Sequence, residues 1–272
     1  MKTISKYINK NIEIIIFFIL SICLVVYIGY RYVEKFEEQI PKGINKLDGI
    51  VYINLENRGD RKELLLKELE SLDTDMSKVN KVSGIFIPKN GHKGCVQSHI
   101  LALNLAKLNK WGLTLVLEDD AQLNVTPKEF NDIIDIVLEK MNSKNWDVIM
   151  LAGANKIYDD KFKLIPIEIQ LTETKDNKEI NINKTFNIKK IKSATTSSAY
   201  IIKQEYLKKL LKVFNNCNKN MERSKLSGNN YENNALDQQW CVLQEKDNWY
   251  IFDNDLIKQR AIWSTIMKES HQ

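Results

Sequence analysis

Residues 113–121 read LTLVLEDDA, an apolar run that ends in three consecutive acidic residues. A short run of this kind is typical of a strand buried on both faces of a parallel sheet. Because ligands of parallel α/β sheets bind beyond the carboxyl ends of the strands, Glu118, Asp119 and Asp120 are predicted to lie at a binding site. Their carboxylates suit a divalent metal, Mn²⁺ or Mg²⁺, that bridges a diphosphate. A solvated acidic turn explains the same three residues equally well at this point.

The segments around this strand alternate between strand and helix patterns. Predicted strands cover residues 49–55, 113–117, 146–151, 195–202 and 249–252, and predicted helices cover residues 60–72, 95–108, 127–141, 204–214 and 235–243. Residues 161–190 have no clear period and are predicted to form a loop or irregular strands, and residues 215–234 a polar connection. The alternation predicts one three-layer α/β domain, residues 48–272, with a mostly parallel central sheet.

An uncharged apolar run, residues 14–30, predicts a transmembrane helix close to the N-terminus. With Ile12, the run is just long enough to cross a hydrocarbon core of about 30 Å. Lysines precede the run, whereas acids offset the basic residues that follow it, and this asymmetry favours a cytoplasmic N-terminus. A cleaved signal peptide is the alternative, but the run exceeds the usual length and no small-x-small cleavage site follows it.

The N-terminal segments are therefore predicted to be a cytoplasmic tail at residues 1–11, a signal-anchor helix at 12–30 and a stem at 31–47. The stem is short and charged, and Pro41 and Gly43 interrupt it. The domain that follows is expected on the lumenal or extracytoplasmic side of a membrane, as part of a single-pass type II protein.

Composition limits the classes of function. The 272 residues, 43% of them hydrophobic, suffice for one medium domain and an anchor but not for a second enzymatic domain. The net charge of +5 comes from lysines that are interspersed with acids and asparagines, so nucleic acid is not an expected partner. The four cysteines lack the spacing of a zinc site, although one disulfide bridge outside the apolar run stays open.

Polar residues after the first strand are further candidates for a binding site. Asn54 and Leu55 end the strand, and Arg58 and Arg61 follow it with positive charges that can meet a nucleotide. Both arginines could instead lie on a helix surface, but the position of Arg58 in the turn itself favours a functional role for that residue.

The sequence GCVQSH, residues 94–99, opens the next predicted helix. Gly94 permits a close approach of another backbone, and the N–H groups at a helix start attract phosphate. Ser98 and His99 lie in the first turns, where they can orient the acidic strand end or a ligand. A single histidine is more often structural than a ligand or a base, and that alternative stays open.

Together these motifs resemble glycosyltransferase family 25, the lipooligosaccharide and procollagen galactosyltransferase-like group. The resemblance covers most of residues 49–267. In chain order the matching pieces are IVYINL at 50–55 with Arg58 and Arg61, GCVQSH at 94–99, LVLEDDA at 115–121, SSAYII at 197–202, Asp237, and Gln259 with STI at 264–266. The resemblance implies a GT-A-like nucleotide-diphospho-sugar transferase fold, metal-dependent transfer and inversion at the sugar.

The resemblance also implies roles for individual residues. Asp120 is expected to bind the metal, Glu118 to contact the ribose or uracil, and Asp119 to support either. Asp237, at the start of a late helix, is the candidate general base, although an acid stabilised by the helix dipole is an equally good interpretation. The other residues expected to bind the donor are Asn54, Leu55, Arg58, Gly94, Ser98, His99 and Gln259.

The function predicted from these features is transfer of a hexose, galactose or glucose, from a UDP-sugar to a glycan or protein-linked acceptor. The expected cofactor is Mn²⁺ or Mg²⁺. A catalytically inactive relative that binds glycans or assists assembly at the membrane is the alternative. A metal-dependent nuclease or phosphohydrolase is disfavoured, because a two-metal site needs more histidines or carboxylates than the three histidines and the acid cluster supply.

Overall fold

The computed structural model describes residues 19–31, 40–175, 178–223 and 232–261. The chain divides into two compact units, Met1–Lys42 and Gly43–Gln272. In the first unit, residues 19–31 form a helix, α1. Among the residues described, no helix combines the length and the apolar character that a membrane crossing requires. The predicted tail, the first part of the predicted anchor and residues 264–266 lie outside the described residues.

The second unit alternates between strands and helices, as the sequence predicts. Its longer helices are α2 (Gly59–Ser71), α3 (Gly91–Asn109), α4 (Pro127–Asn142) and α5 (Leu207–Arg223), and its short helices are α6 (Leu236–Gln239) and α7 (Cys241–Gln244). Its strands are β1 (Gly49–Asn54), β2 (Val79–Ser83), β3 (Leu113–Glu118), β4 (Ala121–Leu123), β5 (Val148–Met150), β6 (Ala154–Tyr158), β7 (Ile165–Lys175), β8 (Lys178–Thr195), β9 (Ala199–Lys203), β10 (Trp249–Phe252) and β11 (Ile257–Gln259).

A mixed sheet forms the centre of this unit, with strand order β2-β1-β3-β9-β5-β10-β8-β6 and β7 paired with β8. Strands β1, β2, β3, β5 and β10 run in one direction, whereas β9 lies antiparallel between β3 and β5. This confirms the prediction of an α/β domain with a mostly parallel sheet. The acidic end of β3 lies beside the end of β1, because Ile53 pairs with Glu118.

Both faces of the sheet are covered, and this explains the unbroken apolar strands. On β1, Ile50 and Tyr52 belong to one core with residues of α2 and α4, whereas Val51 and Ile53 belong to a second core with residues of α3 and α5. Successive side chains of a strand point to opposite faces, so a strand between two helix layers needs apolar residues at every position. The three-layer arrangement follows directly.

Four element predictions are wrong in part. Residues 161–190 contain most of a long regular hairpin, β7 and β8, rather than a loop or irregular strands. The strand predicted at 195–202 is interrupted at 196–198, the helix predicted at 235–243 is divided into α6 and α7, and α5 continues to Arg223 into the predicted polar connection.

Candidate active site

A cavity of about 250 Å³ opens where the central strands end. Glu118, Asp119 and Asp120 line the cavity at the end of β3, and Leu55 lines it at the end of β1. Asp119 and Asp120 are buried. The acids are therefore not a solvated turn, and they occupy the position where ligands of parallel sheets bind.

Two donors fix the side chain of Asp119. Arg61 Nη1 donates to Asp119 Oδ1 at 2.8 Å, and Asn54 Nδ2 donates to Asp119 Oδ2 at 2.9 Å. Arg61 is only 6% exposed, so its attraction to the carboxylates is weakly screened by water. Asn54 thus acts on the acid cluster through Asp119, and Arg61 supplies the cluster with a buried positive charge.

Glu118 is held by His99, which precedes it in the sequence, and by Ser197, which follows it. His99 Nε2 lies 3.2 Å from Glu118 Oε1, and Ser197 Oγ donates to the same oxygen at 2.5 Å. Because a carboxylate only accepts, Nε2 carries a hydrogen, and Nδ1 on the other side of the ring lies 3.1 Å from the Tyr200 hydroxyl. Burial raises the pKa of Glu118, but the hydrogen bonds with His99 and Ser197, together with Coulombic attraction to His99 and Arg61, lower it below its ordinary value.

The negative charge of Asp120 is unfavourable in the folded protein. Burial first, and the negative charge of Glu118 second, raise the pKa of Asp120 to about 7, although Arg61 Nη1 lies 3.4 Å from its Oδ2. A buried carboxylate in this electrostatic environment favours a proton or a cation beside it. Asp120 is therefore the member of the cluster that best fits a hard divalent metal.

A second group of possible metal ligands lies nearby. Cys95, His99 and Glu118 each offer one ligand atom, and these atoms lie within 4.8 Å of one another. However, burial and the neighbouring carboxylates raise the pKa of the Cys95 thiol well above its ordinary value, which disfavours the thiolate that a metal requires. The chemistry of this group fits a metal less well than that of Asp120.

Gly94 and Ser98 hold the connection between β2 and α3, residues 84–90, which we call the β2–α3 segment. Ser98 Oγ accepts a hydrogen bond from Ile85 N at 2.8 Å and donates one to Gly94 O at 2.7 Å. A Cβ atom at Gly94 would lie 2.2 Å from Ile85 O, so only glycine fits there. The close backbone approach predicted for Gly94 is made to this segment. Ser98 lines the cavity as well, whereas Gly94 is not among the lining residues.

Asp237 and Gln259 reach the cavity from the C-terminal part of the chain. Asp237 lies in the first turn of α6, and its Oδ2 accepts from the backbone N–H of Thr196 at 3.0 Å. Thr196 has a φ of 80°, so Asp237 stabilises a turn that a threonine rarely adopts. Gln259 ends β11, where pairing with β4 places it opposite Ala121, directly after Asp120.

The two arginines that follow β1 differ in what they contact. Arg58 forms an ion pair with Asp60 at 2.9 Å and is not among the residues that line the cavity, whereas Arg61 is. The donor-binding role of Arg58 stays a prediction. The burial of Arg61 could have been predicted from the sequence, because Arg61 precedes Leu65 and Leu69 at intervals of four and therefore shares the buried face of α2.

A family model, described as glycosyltransferase family 25 (LPS biosynthesis protein), matches residues 89–226, which is half of the chain. The chain belongs to glycosyltransferase family 25. The matched region contains GCVQSH, the three acids and SSAYII, so the resemblance noted from these motifs is confirmed. The protein is accordingly an enzyme, a glycosyltransferase.

Similarities to other proteins are weaker. A comparison of this chain with curated proteins found no match. The chain is similar to A197 from STIV (12% identity, 77% of this chain and 83% of that one, TM-score 0.36). It is also similar to a glycosyltransferase involved in glycosylation of the major capsid of PBCV-1 (9% identity, 75% and 91%, TM-score 0.36) and to mannose-1-phosphate geranyltransferase from Thermus thermophilus (9%, 75% and 72%, 0.38). These scores are too low to carry an inference about function.

Proposed function

We propose that this glycosyltransferase transfers a hexose, galactose or glucose, from a UDP-sugar to a glycan or protein-linked acceptor with inversion. The observation that carries the proposal is the cavity in which the buried carboxylates of Asp119 and Asp120 meet the buried guanidinium of Arg61 at the strand ends. In a nucleoside diphosphate bound with a metal, the cation can meet the carboxylates and the phosphates can meet the guanidinium. The proposal therefore accounts for neighbouring carboxylates that would otherwise repel one another.

A divalent metal is part of the proposal because the residues present fit one. Asp119 and Glu118 are oriented by protein donors, whereas the pKa of Asp120, raised to about 7, indicates excess negative charge at that carboxyl. Asp120 is the proposed metal ligand. When bound, Mn²⁺ or Mg²⁺ would act as a Lewis acid on the departing diphosphate.

In the proposed reaction, the acceptor hydroxyl oxygen attacks the anomeric carbon while the bond from that carbon to the diphosphate oxygen breaks. The hydroxyl proton passes to Asp237, and the nucleoside diphosphate leaves with the bonding electron pair. Attack opposite the leaving group inverts the configuration of the sugar. Arg61 is preorganised by its contacts with Asp119 and stabilises the negative charge of the cluster and diphosphate.

We further propose a GT-A-type fold and a type II, membrane-anchored topology with the catalytic unit on the lumenal or extracytoplasmic side. The anchor, predicted at residues 12–30, rests on the apolar run and the distribution of lysines. Its residues 19–30 are helical, with exposed large apolar side chains. Carbonate extraction of membranes from expressing cells tests the anchor. The full chain should stay in the membrane pellet, and its release into the supernatant would contradict the proposal.

Activity is tested by measuring release of UDP from UDP-galactose and UDP-glucose with Mn²⁺, with and without glycan acceptors. Asp120→Asn should abolish release. Asp132→Asn is the matched control, because Asp132 makes an exposed ion pair with Lys128 on α4 and does not line the cavity. Equal activity of Asp120→Asn and the wild type would refute the assigned metal site. Binding of UDP-sugar without release of UDP with any of the acceptors would contradict the proposed donor and acceptor pair.

A further inference from the structure

Phe86, in the β2–α3 segment, is an exposed aromatic residue at the candidate active site. The residue is 56% exposed and lines the cavity. Pockets that bind small molecules are lined mostly by apolar and aromatic side chains with a few polar groups, so an aromatic ring on the wall of this cavity is a candidate for ligand contact. Phenylalanine has no polar atom, so the contact it can offer is stacking or apolar packing.

The backbone that carries Phe86 is fixed at several points. The backbone N–H of Gly84 donates to Asn54 O at 2.8 Å, at the end of β1. Ile85 N donates to Ser98 Oγ, and Ile85 O lies 2.2 Å from the position that a Cβ of Gly94 would take. At the other end of the segment, Asn90 caps α3 by accepting from Lys93 N at 2.9 Å. Phe86 is thus held on a preorganised backbone, which reduces the entropy lost when a ligand stacks on it.

The order of the strands places Phe86 at one end of a linear series of lining residues. Phe86 follows the edge strand β2, Leu55 follows β1, and the acids follow β3. Neighbouring strands lie about 4.8 Å apart, so the segment after β2 is roughly 10 Å from the acids after β3. A nucleoside diphosphate has the same order, with the base at one end, the ribose in the middle and the diphosphate at the other end.

We propose that Phe86 is the platform on which the base of the donor nucleotide stacks, and that Gly94 and Ser98 are positioning residues for this platform. This inference rests on the proposed function, since it presumes a nucleotide donor with its diphosphate at Asp120. It changes the role of Gly94 and Ser98 from direct ligand contacts to supports of the segment that makes the contact.

Calorimetric titration of the full-length protein tests the platform with two probes, UDP and inorganic pyrophosphate, at constant Mg²⁺. Pyrophosphate carries the diphosphate but no base. Phe86→Ala should weaken UDP binding on the order of 10-fold, as base–aromatic stacking does elsewhere, and leave pyrophosphate binding unchanged. Phe86→Tyr, which keeps the ring, should bind UDP like the wild type. Because Phe86 is exposed, its replacement leaves the core intact, and thermal unfolding of each variant checks this.

Ser98→Ala tests the positioning role. It should weaken UDP binding less than Phe86→Ala does, again without affecting pyrophosphate, and it should add no further loss when Phe86 is already alanine. A loss in Ser98→Ala that persists in the double variant would overturn the positioning role.

The outcomes separate this inference from the proposed function. If the wild type binds UDP and Phe86→Ala binds it equally well, the platform is refuted and the proposed function stands. An equal loss for UDP and pyrophosphate, or a loss confined to the KM of the acceptor, also refutes a base platform. If the wild type binds pyrophosphate but no nucleoside diphosphate, the proposed donor fails, and the platform fails with it.

Discussion

Replacing Asp120 with asparagine should stabilise the protein while abolishing sugar transfer. Asp120 is buried, and burial together with the charge of Glu118 raises its pKa from an ordinary 3.8 to about 7. Since one pKa unit corresponds to about 1.4 kcal/mol, the ionised side chain destabilises the folded state by ~4 kcal/mol. Asparagine has nearly the same shape without the charge. The gain in the free energy of unfolding should therefore approach this value when Asp120 of the wild type is ionised.

The gain depends on pH in a defined direction. The pKa of Asp120 is higher in the folded than in the unfolded state, so the folded state binds the proton more tightly and wild-type stability falls as pH rises between about 4 and about 7. The advantage of the variant should be small below about pH 4, reach ~2 kcal/mol near pH 5 and level off at ~4 kcal/mol above about pH 7.

Urea unfolding of the wild type and Asp120→Asn, with a chelator present, measures this difference at about pH 5 and about pH 8. Asp132→Asn serves again as the control and should show no difference that grows with pH. Adding Mn²⁺ at the higher pH should stabilise the wild type and leave Asp120→Asn unchanged, because the ligand binds only the intact site. A stability difference that stays constant or shrinks as pH rises would refute the assigned charge of Asp120.

Three further substitutions test other parts of the site. Arg61→Ala should lower the free energy of unfolding, measured in urea, by roughly 3–5 kcal/mol, because it leaves buried carboxylates uncompensated. Arg58→Ala, which removes a more exposed ion pair with Asp60, should lower it by about 1 kcal/mol or less. Equal losses would contradict the different burial of the Arg61–Asp119 and Arg58–Asp60 pairs. Gly94→Ala should destabilise by roughly 1–3 kcal/mol in thermal unfolding, because its Cβ would meet Ile85 O, and an unchanged Tm would show that the segment yields. Asp237→Asn should lower kcat by about 10²–10⁴-fold in steady-state kinetics, with donor binding in a UDP titration nearly unchanged. A rise in donor KM with no change in kcat would contradict the role of Asp237 as general base.

Strands with strong local signals could be predicted from the sequence. The apolar runs at β1, β3 and β10 must be buried on both faces, and the structure places them in the middle of the mixed sheet. The hairpin was not predicted because many lysines and asparagines lie among its apolar residues and obscure the strand pattern. Ile165, Ile167, Ile169 and Leu171 of β7 nevertheless alternate with a period of two, and three of the four are buried.

The reversed direction of β9 was beyond local patterns. An apolar strand reads the same whichever way it runs, and its direction depends on the neighbours it finds. Here β9 follows the hairpin strand β8 after a three-residue interruption and pairs antiparallel with both β3 and β5. β9 runs in the same direction as β8, since both are antiparallel to β5 and β10. The interruption between them contains Thr196 at positive φ, held by Asp237 from 41 residues away.

The position of the acid cluster was determined by the sequence alone, because an apolar strand has to be buried and the residues that follow it emerge at its carboxyl end. Only the tertiary structure decided the partners of the acids. Arg61 rather than Arg58 reaches Asp119 across 58 residues, and Ser197 reaches Glu118 across 79. Hydrogen bonds and burial between segments so far apart depend on how the layers pack, and the charge state of each carboxyl depends on both. The same packing places Phe86 at the cavity. The sequence of its own segment has no periodicity from which this position could be predicted.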